Sequence, residues 1–171
     1  MSCSESKPRG VGLEDRSATM IIFDYQLSTA RNARAEQESL ASADAMDAMA
    51  LRYDWLLGDV IIKVGSQDLS ARWGWVPILD FAASLRRIGA ELAQHDGADS
   101  EFEFTESDAK IQFRGRGKNV LISATYAAGE GTVPLDEFFR AIGEFTERLV
   151  AEICREHPSL MQNEAFKRLL P

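Results

Sequence analysis

The stretch EFEFTESDAKIQFRGRGKNVLISATY, residues 101–126, decides the fold. It contains three short segments in which apolar and polar residues alternate, FEF at 102–104, KIQF at 110–113 and NVLISATY at 119–126, and turn-forming residues separate them. Alternation with a period of two is typical of strands that bury one side and expose the other to water. The stretch therefore predicts consecutive strands of an antiparallel sheet with one polar face.

The N-terminal half of the chain contains further strand patterns. Residues 20–27, MIIFDYQL, place most of their apolar side chains on one face and predict a strand. A hairpin is predicted over residues 51–64, because two alternating runs flank Gly58 and Asp59, which are typical turn residues. Together these segments add strands before the first helical pattern.

Two longer segments have apolar residues spaced three or four apart and predict amphipathic helices. The first begins at Ile78 and ends near Gly97, and the second begins at Leu135 and ends before Pro158. Asn163 is a good N-cap residue and predicts one short helix at the C-terminus.

Both long helices follow a Val-Pro pair, at 76–77 and at 133–134. Proline is favoured in the first turn of a helix, where its missing N–H has no partner to lose, so the repeated pair indicates either an internal duplication or good capping. The elements together predict an α+β fold of order βββαβββα plus the short helix. In it, both long helices pack on one face of an antiparallel sheet of about six strands.

A chain of 171 residues, with 45% hydrophobic and 27% charged residues, has the size and composition of one globular domain. Residues 1–17 lack periodicity and predict a flexible tail, which leaves 18–171 as a single α+β domain. Residues 31–49 are rich in Ala, Glu and Met and lack a buried stripe. This segment is interpreted as either a marginal helix or a mobile insertion.

The compartment is inferred from cysteine usage and from the absence of apolar segments. Cys3 and Cys154 do not form a disulfide framework. The N-terminus lacks the apolar core of a signal peptide, and no segment has the ~20 apolar residues that cross a bilayer. We expect a cytoplasmic protein with no membrane partner.

An acidic segment is the most pronounced electrostatic feature of the chain, whose net charge is −8. Seven acidic residues occur between 91 and 108 without one Lys or Arg among them. They are Glu91, Asp96, Asp99, Glu101, Glu103, Glu106 and Asp108. Glu101 and Glu103 share the strand face opposite Phe102 and Phe104. The candidate partner-binding residues are therefore Asp99, Glu101, Glu103, Glu106 and Asp108, which would steer a basic protein. The alternative is a solvated sheet face without a partner.

Arg72-Trp73-Gly74-Trp75 is the second candidate for partner binding. Tryptophan and arginine are enriched at binding hot spots, and in an extended segment Trp73 and Trp75 project the same way. The alternative is that both tryptophans pack in the core. Trp73 is expected to be the more exposed of the two.

The sequence contains no pattern of catalytic, metal-binding or cofactor-binding residues. The two histidines of the chain lack nearby cysteine or histidine partners, and no nucleophile or phosphate-loop motif is present. We therefore expect no cofactor, no metal and no enzymatic activity. Nucleic acid is not an expected partner either, because a net negative charge opposes binding to phosphates.

The segments WGWVPILDFAASLRRI (73–88) and HPSLMQNEAFKRLL (157–170) resemble a group of uncharacterised bacterial proteins, some of them similar in style to immunity proteins that neutralise toxins. The resemblance covers the layout from Leu51 to Leu170 and implies a protein-binding inhibitor. We therefore expect a non-enzymatic domain, of the immunity or antitoxin type, that binds a basic protein. The alternatives are a small-ligand-binding module, an enzyme whose site is assembled from scattered residues, and a self-associating protein such as a homodimer.

Overall fold

The computed structural model describes residues 20–29 and 45–170. The predicted tail, 1–17, lies outside these residues, and so do residues 31–44 of the predicted insertion. Within them the chain has an α+β fold of antiparallel sheets and helices, which confirms the predicted fold class. The number and arrangement of the sheets differ from the prediction.

The first sheet consists of β1 (Ile21–Leu27), β2 (Leu57–Val64), β3 (Gln67–Asp68) and β4 (Ala71–Pro77). β2 is its central strand, because it pairs antiparallel with β1 along one edge and with β3 and β4 along the other. Buried residues alternate with more exposed ones along β2, since only one face of the sheet meets the core. The strand predicted at 20–27 is confirmed as β1.

The hairpin predicted over 51–64 is wrong. Residues Ala50–Trp55 form a short π-helix, and β2 then runs without a break through the predicted turn at Gly58 and Asp59. Leu51 and Trp55, two members of the predicted first strand's apolar run, are both buried. Their spacing of four also fits one face of a helix, so short apolar runs of this kind do not distinguish the two structures. The hairpin turn lies instead between β2 and β3.

The second sheet is a meander of β5 (Asp99–Glu103), β6 (Lys110–Arg116), β7 (Asn119–Ala124) and β8 (Glu130–Pro134). Each strand pairs antiparallel with the next in the chain. The strands predicted from the stretch 101–126 are confirmed as β5, β6 and β7. β8 was not predicted, and it connects this meander to the following helix.

The single six-stranded sheet is therefore wrong, because the strands form two sheets of four. β8 meets the first sheet through side-chain contact, with Gly131 lying against Val64 of β2. A Cβ atom at Gly131 would come within 2.5 Å of the Val64 Cβ. No main-chain hydrogen bond joins β8 to β2 or β3 within the described residues. A glycine at this point lets the two sheets close on one core without forming a continuous ladder.

The helices lie where the apolar periodicity predicts them. They are α1 (Ile78–Gln94), α2 (Leu135–Glu156), a 3₁₀ turn (Pro158–Gln162) and α3 (Glu164–Leu169). The Asn163 side-chain oxygen accepts hydrogen bonds from the main-chain N–H groups of Ala165 and Phe166, at 2.8 and 3.0 Å. The predicted cap of the C-terminal helix is thus confirmed.

Both long helices begin immediately after a proline that ends a strand. Pro77 ends β4 and Pro134 ends β8, and both have extended ψ angles, 106° and 143°. The sequence predicts that these prolines lie in the first turn of each helix. That prediction is wrong, because both prolines precede the helices. The first N–H of α1 donates to the Leu56 carbonyl and that of α2 to the Lys118 carbonyl, both at 2.9 Å. The two halves of the chain thus repeat one strand-proline-helix unit with the same start to each helix.

One cluster of phenylalanines joins both sheets to both helices. The ring of Phe23 in β1 lies 6.3 Å from Phe81 in α1, and 6.0 and 6.4 Å from Phe138 and Phe145 in α2. Phe113 of β6 lies 5.7 Å from Phe138. All five rings are buried. The sheets and helices therefore share a single core.

The outer edges of β1 and β5 are each bound by an arginine from a helix. Arg148 of α2 donates to the Phe23 carbonyl at 2.9 Å, and Arg87 of α1 donates to the Glu101 carbonyl at 3.2 Å. Each arginine therefore satisfies a main-chain acceptor that an edge strand leaves unpaired. Each helix thus protects an edge strand that belongs to the other half of the chain.

The contact between the sheets gives a matched pair of glycine substitutions. Gly131→Ala is expected to lower the free energy of unfolding by about 1–3 kcal/mol, because the new methyl group would overlap the Val64 side chain. Gly143→Ala in α2 is the control, since nothing lies within 4 Å of its added Cβ. The control should be more stable than wild type by up to about 1 kcal/mol, because alanine favours helix. Urea unfolding measures both, and equal stability of wild type and Gly131→Ala would contradict the close contact.

Candidate partner-binding site

β4 carries Trp73 and Trp75 on either side of a β-bulge at Gly74. Ala71 and Val76 are both fully buried although they are five positions apart, and strict alternation would place them on opposite faces of the sheet. Gly74 has a φ of 70°, and the register between β2 and β4 shifts in this region. Positive φ is the conformation that glycine supplies at bulges. The bulge therefore lets Ala71 and Val76 both face the core.

The two tryptophans belong to an aromatic cluster, which we define as Trp73, Trp75, Phe104 and Tyr126. The rings of Trp73 and Trp75 stack with centroids 5.1 Å apart and 19° between their planes. Phe104, which follows β5, and Tyr126, which follows β7, approach Trp73 edge-on at 4.7 and 4.9 Å. Both tryptophans are only partly buried. They therefore both pack against the core and present aromatic surface, so neither of the two predicted alternatives describes them fully.

Tyr126 also links the two sheets by a polar contact. Its hydroxyl donates at 2.8 Å to the main-chain carbonyl of Leu69, a fully buried residue between β3 and β4. Burial raises the pKa of Tyr126, and the nearby negative charge of Asp68 raises it further. The hydroxyl therefore keeps its proton and the hydrogen bond at neutral pH.

The acidic residues of β5 lie beside cations of β6. Lys110 pairs with Glu101 at 3.1 Å and with Glu103 at 3.4 Å, and Arg116 pairs with Asp99 at 3.2 Å. The hydrogen bond from Lys110 lowers the pKa of the Glu101 carboxyl. The acidic segment has no cation within its own sequence, but antiparallel pairing supplies one from the next strand. Much of the charge predicted to steer a partner is thus balanced inside the protein.

Glu106 and Asp108 differ from the acids of β5, and we call them the acidic tip. They lie in the turn between β5 and β6, and both are exposed. Neither forms an ion pair with any residue that the structure describes. The turn begins directly after Phe104, so the acidic tip borders the aromatic cluster. The structure thereby brings the two predicted sets of candidate residues together.

Arg72 lies next to the cluster but is held by a neighbour. Its guanidinium contacts the Asp68 carboxylate at 3.4 Å, and both side chains are about half exposed. Hydrogen bonds from the side chain and main chain of Ser70, and then the contact with Arg72, lower the pKa of Asp68. Exposed pairs of this type contribute little to stability, so Arg72 remains available for a new contact.

Asp59 is a site residue that the sequence analysis missed. Its Oδ1 accepts a hydrogen bond from the Gly74 N–H at 2.7 Å, so its carboxylate is fixed at the bulge between the two tryptophans. Asp59 is partly buried and forms no ion pair with the described residues. In the sequence it was interpreted only as a turn residue. No local sequence pattern indicates this contact, because Gly74 is 15 positions from Asp59 and the contact depends on the bulge.

Two potentially reactive side chains outside the aromatic cluster, Tyr25 and Cys154, have raised pKa values. Tyr25 donates to the Glu152 carboxylate beside a groove of about 300 Å³, and burial followed by this hydrogen bond raises the pKa of its hydroxyl. Burial also raises the pKa of the Cys154 thiol. A tyrosine or cysteine acts as base or nucleophile only when ionised, so neither group is activated at neutral pH.

The contact between Tyr126 and Leu69 predicts a pH-dependent effect of Tyr126→Phe. At neutral pH the substitution should lower the free energy of unfolding by about 1–2 kcal/mol, because the buried Leu69 carbonyl loses its donor. The folded-state pKa of Tyr126 is raised, so the stability that it contributes is present below about pH 10 and is lost as the pH rises from there. Urea unfolding between pH 7 and 11 should show the two proteins converging above roughly pH 10. A constant difference across this range would contradict the assignment.

Neither a metal cluster nor a known relative assigns a function to the chain. Among the described residues, no group of three or more His, Cys, Asp or Glu side chains is arranged to hold a metal ion. Across 20–29 and 45–170, no helix combines the length and the apolar character that spanning a bilayer requires. No family model, curated protein or solved structure matches this chain. The candidate site is therefore interpreted from its own geometry.

Proposed function

We propose that the chain is a non-enzymatic protein-binding domain, of the immunity or antitoxin type, that binds a basic protein partner. The inhibitor class comes from the resemblance of residues 73–88 and 157–170 to immunity-style proteins. The protein-binding role is supported by the surface at which the aromatic cluster meets the acidic tip.

The stacked and partly exposed pair of Trp73 and Trp75 is the observation that carries the proposal. Rigid aromatic side chains supply large contact areas with little loss of conformational freedom, and tryptophan is enriched at hot spots. The stack is held by Phe104 and Tyr126, so its geometry is set before a partner arrives. Such preorganisation lowers the entropic cost of association.

Charge selects the kind of partner. The net charge of the chain is −8, and Glu106 and Asp108 add exposed negative charge beside the aromatic cluster. Complementary charges at the rim of an interface raise the association rate and exclude acidic competitors. A basic protein with an apolar contact residue fits this surface.

The proposal is tested by comparing proteins captured from a lysate of the native host. Wild type and Trp75→Ala are used as baits, and partners are quantified by mass spectrometry. A specific basic protein should be captured by wild type. Its affinity, measured with the purified partner, should fall about 30-fold in the variant, as expected for loss of a hot spot worth about 2 kcal/mol. Circular dichroism and thermal unfolding verify that the variant folds.

Three double charge reversals that change the net charge equally test the role of the acidic tip. They are Glu106→Lys with Asp108→Lys, Glu101→Lys with Glu103→Lys, and Glu144→Lys with Glu147→Lys on the exposed side of α2. At roughly 0.15 M ionic strength the Debye length is about 8 Å, so only charges near the contact matter. The first pair should weaken binding most, the second less because Lys110 already balances it, and the third hardly at all. Equal effects of all three double variants would contradict a local acidic interface. Failure of the wild-type bait to capture any specific basic protein would contradict the proposed function.

A further inference from the structure

A groove of about 430 Å³ lies between α1 and α2. Much of its lining is apolar or without a side chain, and each helix adds one charged residue of opposite sign. The lining includes Gly89, Phe139, Ile142 and Gly143, with Arg86 on α1 and Glu147 on α2. None of these residues belongs to the aromatic cluster or to the acidic tip. The groove is therefore a second surface, separate from the proposed partner-binding site.

The two glycines of the groove have different surroundings. A Cβ atom at Gly89 would lie 3.3 Å from Cδ1 of Ile142, so Gly89 lets α1 and α2 approach closely. Beyond its own stretch of α2, no atom of the described residues lies within 4 Å of a Cβ added at Gly143. Glycine inside a helix is less stable than alanine, and packing within one copy does not require it at this position. The open space at Gly143 fits the close approach of a helix from outside.

The charges of the groove are complementary to those of a second copy. Glu147 is exposed and forms no ion pair with the residues that the structure describes. Arg86, on the other helix, is partly exposed. A two-fold axis parallel to the groove places α1 of one copy on α2 of the other, so Arg86 of each copy meets Glu147 of the other. A uniformly basic partner would match only the Glu147 side.

We infer that a second copy of this chain docks in the groove, so that α1 and α2 of the two copies pack as four helices around a two-fold axis. Gly143 of each copy then lies against α1 of the other, and the partly exposed Phe139 rings are covered. The net charge of −8 opposes self-association. At about 0.15 M salt, charges more than roughly 8 Å apart are screened, so the local pairing at the groove dominates.

Sedimentation velocity over about 1 µM to 1 mM protein tests whether this dimer forms. Wild type should change from monomer to dimer across the range. Gly143→Leu fills the groove and should weaken dimerisation at least about tenfold, because the added side chain collides with α1 of the other copy. It should still fold, since the space is open within one copy. Ala151→Leu is the matched control: it adds the same side chain at an exposed position of α2 outside the groove, and it should dimerise like wild type.

Single charge reversals test the ion pair between copies. Arg86→Glu places two carboxylates together at both contacts, and Glu147→Arg places two guanidinium groups together. Each variant alone should dimerise at least about tenfold more weakly than wild type. An equal mixture of the two variants should form a heterodimer, because the introduced glutamate then faces the introduced arginine and the native Arg86 faces the native Glu147. Such recovery cannot come from contacts within one chain.

Three results would overturn the inference: a wild type that stays monomeric up to about 1 mM, a Gly143→Leu variant that dimerises like wild type, or mixed charge variants that do not associate. Circular dichroism verifies that each variant folds. Partner binding is proposed on β4 and dimerisation on α1 and α2, so each copy should bind the partner equally well as monomer or dimer. The double variant with Glu144→Lys and Glu147→Lys therefore remains a control for partner binding.

Discussion

The packing of Phe23 is the interaction on which the rest of the structure depends. Phe23 lies on an edge strand, yet its ring contacts α1 and α2, and through Phe138 it is connected to β6 of the other sheet. Neither four-stranded sheet could bury its apolar face alone, because each needs a second layer to exclude water. The shared phenylalanine cluster supplies that layer for both sheets at once. β1 in turn pairs with β2, and β2 pairs with β4, which carries the tryptophan pair.

The repeated strand-proline-helix unit explains how two halves of the chain stabilise each other. α1 follows the first sheet but protects β5, and α2 follows the second sheet but protects β1. Open edges invite pairing with other chains, and an arginine bound to an edge carbonyl satisfies one such group. The proposed recognition surface lies instead on β4, where two tryptophan side chains are partly exposed.

Pairing of β5 with β6 balances part of the charge of the acidic segment. Asp99, Glu101 and Glu103 read as an unopposed acidic run, but strand pairing places Lys110 and Arg116 beside them. The two carboxylates of the acidic tip keep their exposure because a turn has no neighbouring strand to supply a cation. The exposed negative charge of the acidic tip thus lies next to the aromatic cluster. The proposed interface combines this charge with the aromatic surface.

The sequence by itself determined the elements with a strong period: β1, the strands from 101 to 126, both long helices and the Asn163 cap. It did so because these patterns depend on the direction of neighbouring side chains along one segment. Only the tertiary structure decided that Leu51 and Trp55 belong to a helical turn, that the strands divide into two sheets, and that Asp59 serves the bulge at Gly74. Those features depend on contacts between residues far apart in the chain, such as Gly131 against Val64, for which a local pattern carries no signal. The tryptophans were found from their residue type, but their stacking and partial exposure required the fold.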